Sequence, residues 1–377
     1  MNSSQELYDR LIDTIRPLVN VSPVGHLHTW IWIVVGLLQA NSMALSQIAL
    51  HIPGQANAES RVTTVRRWLQ DRQSNVWALY QPVLAHVLAG WQAAEATVIL
   101  DGVEVYDGRL QVFRLSLRHG CRAIPLVWTV IPGQGLTQVE KLKTMLTRAA
   151  KFLRPRVKRV TFLADRGFRD CDWAILCLKL GWNYDIRVAC NTTVQLNNYP
   201  LGRIDELEVR PAQHRYFQNV RLTRNVRLPT NLSLTWTTED GQHTPELLAI
   251  ISDQAAGRQR LREYGRRMSI EQSFRDDQSG GFDMEHTRLQ RPDELERLLL
   301  ALSIATLWCH ELGEYVLTEG ETYRREIDPG SERELSLFQL GLRWLKRSVS
   351  TDIDRLPDFK ARLTPFKLKP IVNSDKS

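Results

Sequence analysis

The order of the apolar segments between residues 97 and 189 constrains the fold more than any other feature of the sequence. Three segments with β-branched or alternating apolar residues come first, followed by a helical segment, a strand, a second helical segment and another strand. The predicted strands are residues 97–100, 110–117, 124–131, 160–164 and 184–189, and the predicted helices are residues 139–153 and 172–180. This βββαβαβ order predicts an α/β protein with a mixed sheet flanked by helices.

Two aspartates directly follow predicted strands. Asp101 follows residues 97–100 and precedes Gly102, which we expect to open a turn, and Asp165 follows residues 160–164. In a ribonuclease-H-like sheet, the fold that this strand order predicts, acidic residues at strand ends converge on one edge. Their oxygens suit Mg²⁺ or Mn²⁺, and two such ions about 4 Å apart support in-line phosphoryl transfer. The alternative for each aspartate alone is ordinary turn chemistry.

A third acid lies on a predicted helix of residues 258–277, which also carries an arginine and a tyrosine on the same face. Tyr264, Arg267 and Glu271 stand at positions i, i+3 and i+7. On that face Glu271 is a candidate metal ligand, Arg267 a phosphate clamp and Tyr264 a contact to DNA. The alternative is a solvated helix face held by salt bridges.

Together these motifs resemble the DDE transposases of bacterial insertion sequences, of the insertion-sequence-four type. The resemblance covers about residues 97–310 and includes D-G at Asp101, A-D-R-G-F around Asp165, and the pattern Y-x-x-R-x-x-x-E that ends at Glu271. The family pattern has a lysine seven positions after this glutamate, whereas this sequence has Gln278. A neutral side chain cannot offer a charge to phosphate, and Arg275 is the candidate substitute.

The resemblance implies an activity and a set of partners. It implies metal-dependent cleavage of double-stranded DNA at terminal inverted repeats and joining to target DNA, with two Mg²⁺ or Mn²⁺ ions held by Asp101, Asp165 and Glu271. It also implies a homodimer on DNA and, where a hairpin forms, a flipped base stacked on an aromatic side chain, for which Trp236 is the candidate. Arg166, next to Asp165, is a further candidate DNA contact.

The chain divides into five predicted segments. Residues 1–95 form a helical N-terminal DNA-binding domain, residues 96–190 and 246–310 the two parts of the catalytic core, residues 191–245 a β-rich insertion, and residues 311–377 a helical C-terminal region. In the first segment, a basic helix with Arg66 and Arg67 follows a helical segment at residues 44–50, which suggests a helix-turn-helix-like unit. An ordinary helical bundle with a basic face is the alternative.

The charge balance favours a polyanionic partner. The net charge is +7 and the isoelectric point is near 9.2, and neutralisation of phosphates supplies most non-specific affinity for DNA. Basic residues cluster before Asp165, in the insertion and on the third-acid helix: Lys151, Arg154, Arg156, Lys158 and Arg159; Arg215, Arg221, Arg224 and Arg227; Arg258, Arg260, Arg262, Arg266 and Arg267. These positions favour DNA binding over general solubility.

Other features bear on the compartment. The longest apolar run, residues 30–38, is about half the length needed to cross a bilayer. The five cysteines are odd in number and contain no C-x-x-C pair, which argues against a disulfide framework and a zinc site. We therefore expect a cytoplasmic protein without a membrane partner, and the resemblance to transposases of bacterial insertion sequences implies a bacterial, nucleoid-associated one.

Two other functions stay open. A metal-dependent nuclease or resolvase on the same fold would use the same carboxylates to cleave DNA without rejoining it. A catalytically inactive descendant would keep the basic surface and bind DNA without turnover. A Ser, His or Cys hydrolase has little support, because the sequence has neither H-E-x-x-H nor G-x-S-x-G.

Overall fold

Ten strands form one mixed sheet in the computed structural model, which describes residues 3–91, 93–133, 138–168, 171–196, 200–223, 226–237, 245–278 and 280–363. The strands are β1 (Glu95–Val105), β2 (Leu110–His119), β3 (Arg122–Pro132), β4 (Arg159–Ala164), β5 (Asn183–Val188), β6 (Thr193–Gln195), β7 (Gly202–Arg203), β8 (His214–Leu222), β9 (Leu228–Thr237) and β10 (Glu246–Ser252). Their order in the sheet is β3-β2-β1-β4-β5-β10-β9-β8-β6-β7. The predicted mixed α/β fold with a sheet flanked by helices is confirmed.

The first half of the sheet has the predicted order. Strands β1, β2 and β3 form an antiparallel meander, and β4 and β5 add parallel to β1 through two crossover helices. The expected turn at Gly102 is wrong, because β1 continues to Val105 along β2 after its pairing with β4 has ended at Leu100. A Cβ at Gly102 would lie 2.6 Å from the ring of Phe113, so glycine is required there by close packing.

The β-rich insertion extends the same sheet. β10 pairs antiparallel with β5, and β9, β8, β6 and β7 follow outward from β10. One local prediction is wrong: alternation at residues 206–210 suggested a strand, but Ile204–Glu206 is a 3₁₀ helix. The Glu206 carboxylate accepts a hydrogen bond from the Arg203 backbone N–H, which caps this turn. Arg224 and residues 238–244, predicted within the insertion, lie outside the described residues.

Helices cover both faces of the sheet and build the N- and C-terminal parts of the chain. They are α1 (Ser3–Ile15), α2 (Val24–Ala40), α3 (Leu45–Leu50), α4 (Ala58–Gln70), α5 (Val76–Val87), α6 (Val139–Leu153), α7 (Cys171–Leu180), α8 (Arg258–Gly265), α9 (Met268–Asp277), α10 (Pro292–Glu319), α11 (Glu321–Arg325) and α12 (Leu337–Thr351). α10 packs on β3 and also contacts α2, α4, α5 and α12. None of the described helices has the length and apolarity that crossing a membrane requires.

The segment of the third acid consists of two helices, so the single helix predicted for residues 258–277 is wrong. α8 ends at Gly265 and α9 begins at Met268. The backbone N–H groups of Arg266 and Arg267 donate hydrogen bonds to the carbonyls of Glu263 and Tyr264, each three residues earlier. The last turn of α8 therefore has the tighter 3₁₀ pattern. Glycine is also a weak helix former, which favours a break at this point.

The predicted domain limits stay predictions. The N-terminal helices and the sheet contribute side chains to one continuous buried core, which includes Trp30 of α2, Leu100 of β1 and Trp308 of α10. Helices α3 and α4 pack together where the helix-turn-helix-like unit was predicted. The side chain of Asn57 caps α4 by accepting from the Ser60 N–H at 2.8 Å.

Candidate active site

The register of two parallel strands brings Asp101 and Asp165 to neighbouring positions. Leu100 of β1 pairs with Ala164 of β4, and each aspartate is the next residue in the sequence after this pair. Neighbouring strands lie about 4.8 Å apart, so the two backbones are adjacent at this point. Two residues earlier on each strand, Ile99 and Leu163 are buried together under α9. Because side chains alternate between faces, both aspartates lie on the face that α9 covers.

Arg267 links the first acid to the third. Its Nη1 donates a hydrogen bond to Oδ2 of Asp101 at 2.8 Å, and its Nη2 donates to Oε1 of Glu271. The break between α8 and α9 places Arg267 just before α9, one turn from Glu271. Arg267 is 8% exposed, so these charge-assisted bonds form largely away from water.

Tyr264 contacts the remaining acid. Its hydroxyl donates to Oδ1 of Asp165 at 3.2 Å, and Nη1 of Arg187 lies 3.7 Å from the same oxygen. The guanidinium carbon of Arg267 lies 5.8 Å from the centre of the Tyr264 ring. Tyr264, Arg267 and Glu271 therefore reach the strand-end aspartates from one segment, although that segment is not one helix.

Burial and mutual repulsion shape the electrostatics of the site. The pKa of Asp101 is raised to about 6, chiefly by burial; the charges of Asp165 and Glu271 also raise this pKa, whereas Arg267 and the Gly102 N–H lower it. Burial alone would lower the pKa of Arg267, but nearby Tyr264, Asp101, Asp165 and Glu271 raise it overall. Arg267 thus stays charged and offsets part of the negative charge of the three carboxylates.

Two charged residues beside the site were missed in the sequence analysis. Arg187 of β5 is 3% exposed and hydrogen bonds to Glu246 at the start of β10. The exposed Arg166 also approaches Glu246, at 3.4 Å. A signal was available, because Asp185 and Arg187 lie two positions apart on one face of a short strand between apolar residues, and a buried charge requires a partner.

Two further ion pairs, also missed, hold the end of α9 against the sheet. Arg114 of β2 pairs with Asp277, and Arg122 of β3 pairs with Asp276 at 2.6 Å. Burial raises the pKa of Asp277 to about 6, while Arg114 lowers it. Arg114 is the β2 partner of Asp101 in the strand register. The helix that carries Glu271 is thereby fixed to the strands that carry the first acid.

The other predicted contact residues lie farther from the acids. The indole of Trp236 in β9 donates to the Val209 carbonyl at 2.7 Å. The strand register places Trp236 on the face of the sheet opposite to that of Arg187, because Ser233 pairs with Ile250, which pairs with Arg187. Exposed side chains are Arg275 on α9 and Arg66 and Arg67 on α4. Gln278 donates to Glu285 at 3.4 Å.

The donor set suits hard divalent cations, since carboxylate oxygens are the preferred ligands of Mg²⁺ and Mn²⁺. Within the described part of the chain, no three His, Cys, Asp or Glu side chains are close enough to hold one ion jointly. Arg267 instead lies between Asp101 and Glu271.

The strand order defines a class, an α/β protein with a large mixed sheet flanked by helices, in which Tyr264 and Arg267 hydrogen bond to the three acids. Residues 137–308 match the family model described as "Transposase DDE domain". This region, less than half of the chain, includes Asp165 and Glu271 and leaves Asp101 outside. The match supports a transposase, a class that generally uses divalent metal ions.

Two similarities to solved structures are weak. A piggyBac transposase in a synaptic complex with hairpin DNA is 10% identical with a TM-score of 0.44, and the match covers 96% of this chain and 83% of the other. Marinitoga piezophila Argonaute, in complex with 5′ OH guide RNA and target DNA, is 9% identical with a TM-score of 0.23, over 67% and 34% of the chains. No curated protein matches the sequence significantly.

Proposed function

We propose that this chain is a DDE transposase of the insertion-sequence-four type, which cuts DNA at the ends of a bacterial insertion sequence and joins them to target DNA. One observation carries the proposal. Asp101 lies outside the region of the family match, yet the β1 to β4 register aligns it with Asp165, and Arg267 bonds it to the segment of Glu271. Three distant parts of the sequence thus supply the three acids of one site.

Asp101, Asp165 and Glu271 would hold two Mg²⁺ or Mn²⁺ ions. When bound, such ions activate the attacking oxygen and stabilise the leaving oxygen in an in-line displacement. The chain's own residues position the ligands: Tyr264 orients Asp165 by its hydrogen bond, and Arg267 orients Asp101 and Glu271. Arg267 is also suited to clamp a phosphate, because its planar guanidinium can form two parallel bonds to phosphate oxygens.

Contacts to DNA would extend from this site over basic surface. The Arg166 side chain is 55% exposed beside Asp165, and Arg275 is exposed on the Glu271 helix. Arg66 and Arg67 of α4 would contact the terminal repeats, and two copies of the chain would hold the two ends. Stacking of a flipped base on Trp236 stays a prediction, and the bond from its indole to Val209 would fix the orientation of the ring.

The test is cleavage and joining of labelled duplexes that carry the flanking inverted repeats, with Mg²⁺ or Mn²⁺. We expect joined products from the unmodified chain and none from Asp101→Ala, Asp165→Ala or Glu271→Ala. Asp13→Ala, at an exposed position of α1, is the matched control and should leave the activity unchanged. A hairpin at the donor end would appear as a slower band on a denaturing gel.

Other outcomes of the same test would replace the proposal. Metal-dependent cleavage without joining would identify a nuclease or resolvase. Tight binding to the repeats without cleavage in either metal would identify an inactive DNA-binding descendant. Equal activity of Asp101→Ala and the unmodified chain would remove Asp101 from the site, and with it the observation on which the proposal rests.

A further inference from the structure

A row of polar side chains crosses four neighbouring strands on the face that carries the acids. Thr97 of β1 pairs with Thr161 of β4, which pairs with Asn183 of β5. On the other side, Val98 pairs with Leu117, so Arg118 of β2 lies beside Thr97. Two residues farther along β1 and β4, the same face is apolar and buried under α9. Polar residues on an inner sheet face need partners, which makes this row unusual.

Helix α8 packs on β5, β9 and β10, beside one end of this row, and contributes polar groups of its own to the same cavity. Gln259, Glu263 and Arg266 are spaced at i, i+4 and i+7, so they project from one side of the segment. These residues and the polar row line one cavity of about 860 Å³. That volume is within the range of pockets that hold small organic ligands.

Arg118 is the one arginine lining the cavity that lacks a counterion in the described part of the chain. Arg266 pairs with Glu263, Arg260 with Asp185, and Arg159 with Glu95. The Arg118 side chain forms no hydrogen bond or ion pair with any residue that the structure describes, although it is half-buried. Burial lowers the pKa of Arg118 and the neighbouring charge of Arg266 lowers it further, against smaller raising contributions from Cys121 and Glu263. An anion between these two guanidinium groups would relieve both effects.

The hydroxyl groups of the row add further donors. Neither Thr97 nor Thr161 hydrogen bonds through its side chain to a residue in the described ranges, and both line the cavity. Two guanidinium groups and two hydroxyls match a tetrahedral dianion with several acceptor oxygens better than a carboxylate, which has only two oxygens.

We propose that this cavity binds a phosphate group. It is separate from the carboxylate site, because Thr97 precedes Asp101 by four residues, or about 13 Å along an extended strand. The phosphate would belong either to a DNA strand or to a free phosphate or nucleotide, and both sources present the same chemistry. The proposal does not depend on the chain being a transposase.

The test is isothermal titration of the full-length Asp101→Ala chain with inorganic phosphate and with a 5′-phosphorylated single strand. Chloride keeps the ionic strength constant, and a chelator removes divalent metals, so that the carboxylate site cannot contribute. Each charge-assisted hydrogen bond contributes enough that Arg118→Gln should weaken binding about tenfold or more. Arg118→Lys keeps the charge and should lose less, and Thr97→Val with Thr161→Val should weaken binding several-fold.

Arg343→Gln removes the same charge from an exposed position of α12 and is the matched control. The proposal is supported if only the cavity variants weaken binding while their thermal unfolding stays unchanged. If Arg118→Gln weakens binding of the single strand and free phosphate does not bind, the source of the phosphate is DNA. If Arg118→Gln weakens binding of free phosphate alone, the source is a free ligand. Absence of binding to both probes, or equal binding by Arg118→Gln and the parent chain, overturns the proposal.

Discussion

Arg267 and Asp101 are 166 positions apart in the sequence, and a hydrogen bond of 2.8 Å joins their side chains. The same guanidinium bonds to Glu271. One side chain therefore connects the strand of the first acid with the helix of the third. This relationship leads to the first of four predictions.

Replacing Arg267 should affect both stability and activity. Arg267→Gln leaves Asp101 and Glu271 without their shared partner, and breaking a mostly buried pair in this way costs roughly 2–3 kcal/mol of unfolding free energy. We expect cleavage to fall about a hundredfold or more, because an orienting and a charge-balancing group are lost together. Urea unfolding and single-turnover cleavage measure the two effects. Arg343→Gln, at an exposed position of α12, should change neither.

The pKa of Asp101, raised to about 6, predicts a pH dependence of stability. Between about pH 4, where the unfolded carboxyl titrates, and pH 6, the folded state binds more protons, so stability falls as the pH rises. Asp101→Asn mimics the protonated form and should abolish cleavage while making the chain more stable at pH 7. The difference in unfolding free energy between variant and parent, measured at pH 4.5 and 7, isolates Asp101 from other buried acids. A difference that does not grow with pH would contradict this assignment.

The buried pair of Arg114 and Asp277 should be a large determinant of stability. Asp277→Ala leaves a buried guanidinium unpaired and should cost about 3–5 kcal/mol, whereas Arg114→Met with Asp277→Leu should recover most of this loss. Chemical denaturation measures both. Glu95→Ala, which breaks the exposed pair with Arg159, is the control and should cost less than about 1 kcal/mol. A similar loss in the single and double variants would show that the pair does not anchor α9.

Restoring the lysine of the family pattern should strengthen DNA binding. Gln278→Lys places a positive charge after α9, and one added phosphate contact would steepen the logarithmic salt dependence of affinity by about 0.9. Titration of a terminal-repeat duplex at several salt concentrations measures this slope. Gln5→Lys on α1 adds the same charge elsewhere and should leave the slope unchanged. Equal slopes for both variants would mean that position 278 does not face DNA.

Local patterns in the sequence were sufficient for many elements. Helix α6 has the predicted bounds, α3 begins one residue later than predicted, and β4 and β5 begin one residue earlier. These segments have clear apolar periodicity and sharp polar ends, which are local properties. The adjacency of Asp101 and Asp165 also followed from the strand order, although register was needed to place them side by side.

Other features depend on contacts between distant residues. The break at Arg266 and Arg267 interrupts a segment whose sequence has a continuous helical pattern. In the folded chain Tyr264 hydrogen bonds to Asp165 and Arg267 to Asp101, and these long-range bonds leave no signal in the local periodicity. The pairing of β9 with β10 depends on strand register, which a single sequence specifies weakly. Arg187 belongs to a segment that was predicted as a plain strand, and its pairing with Glu246 exists only in the folded sheet.

The sheet continuity across β5, β10 and β9 has a mechanical consequence. β10 shares a ladder of hydrogen bonds with each neighbour, so the outer strands cannot pivot away from the acids unless one ladder opens along its whole length. A cooperative rupture of this kind is costly compared with hinge motion at a loop. A duplex held both by the outer strands and by the carboxylates would therefore have to bend or untwist to fit, and the sheet would act as a rigid template for that deformation.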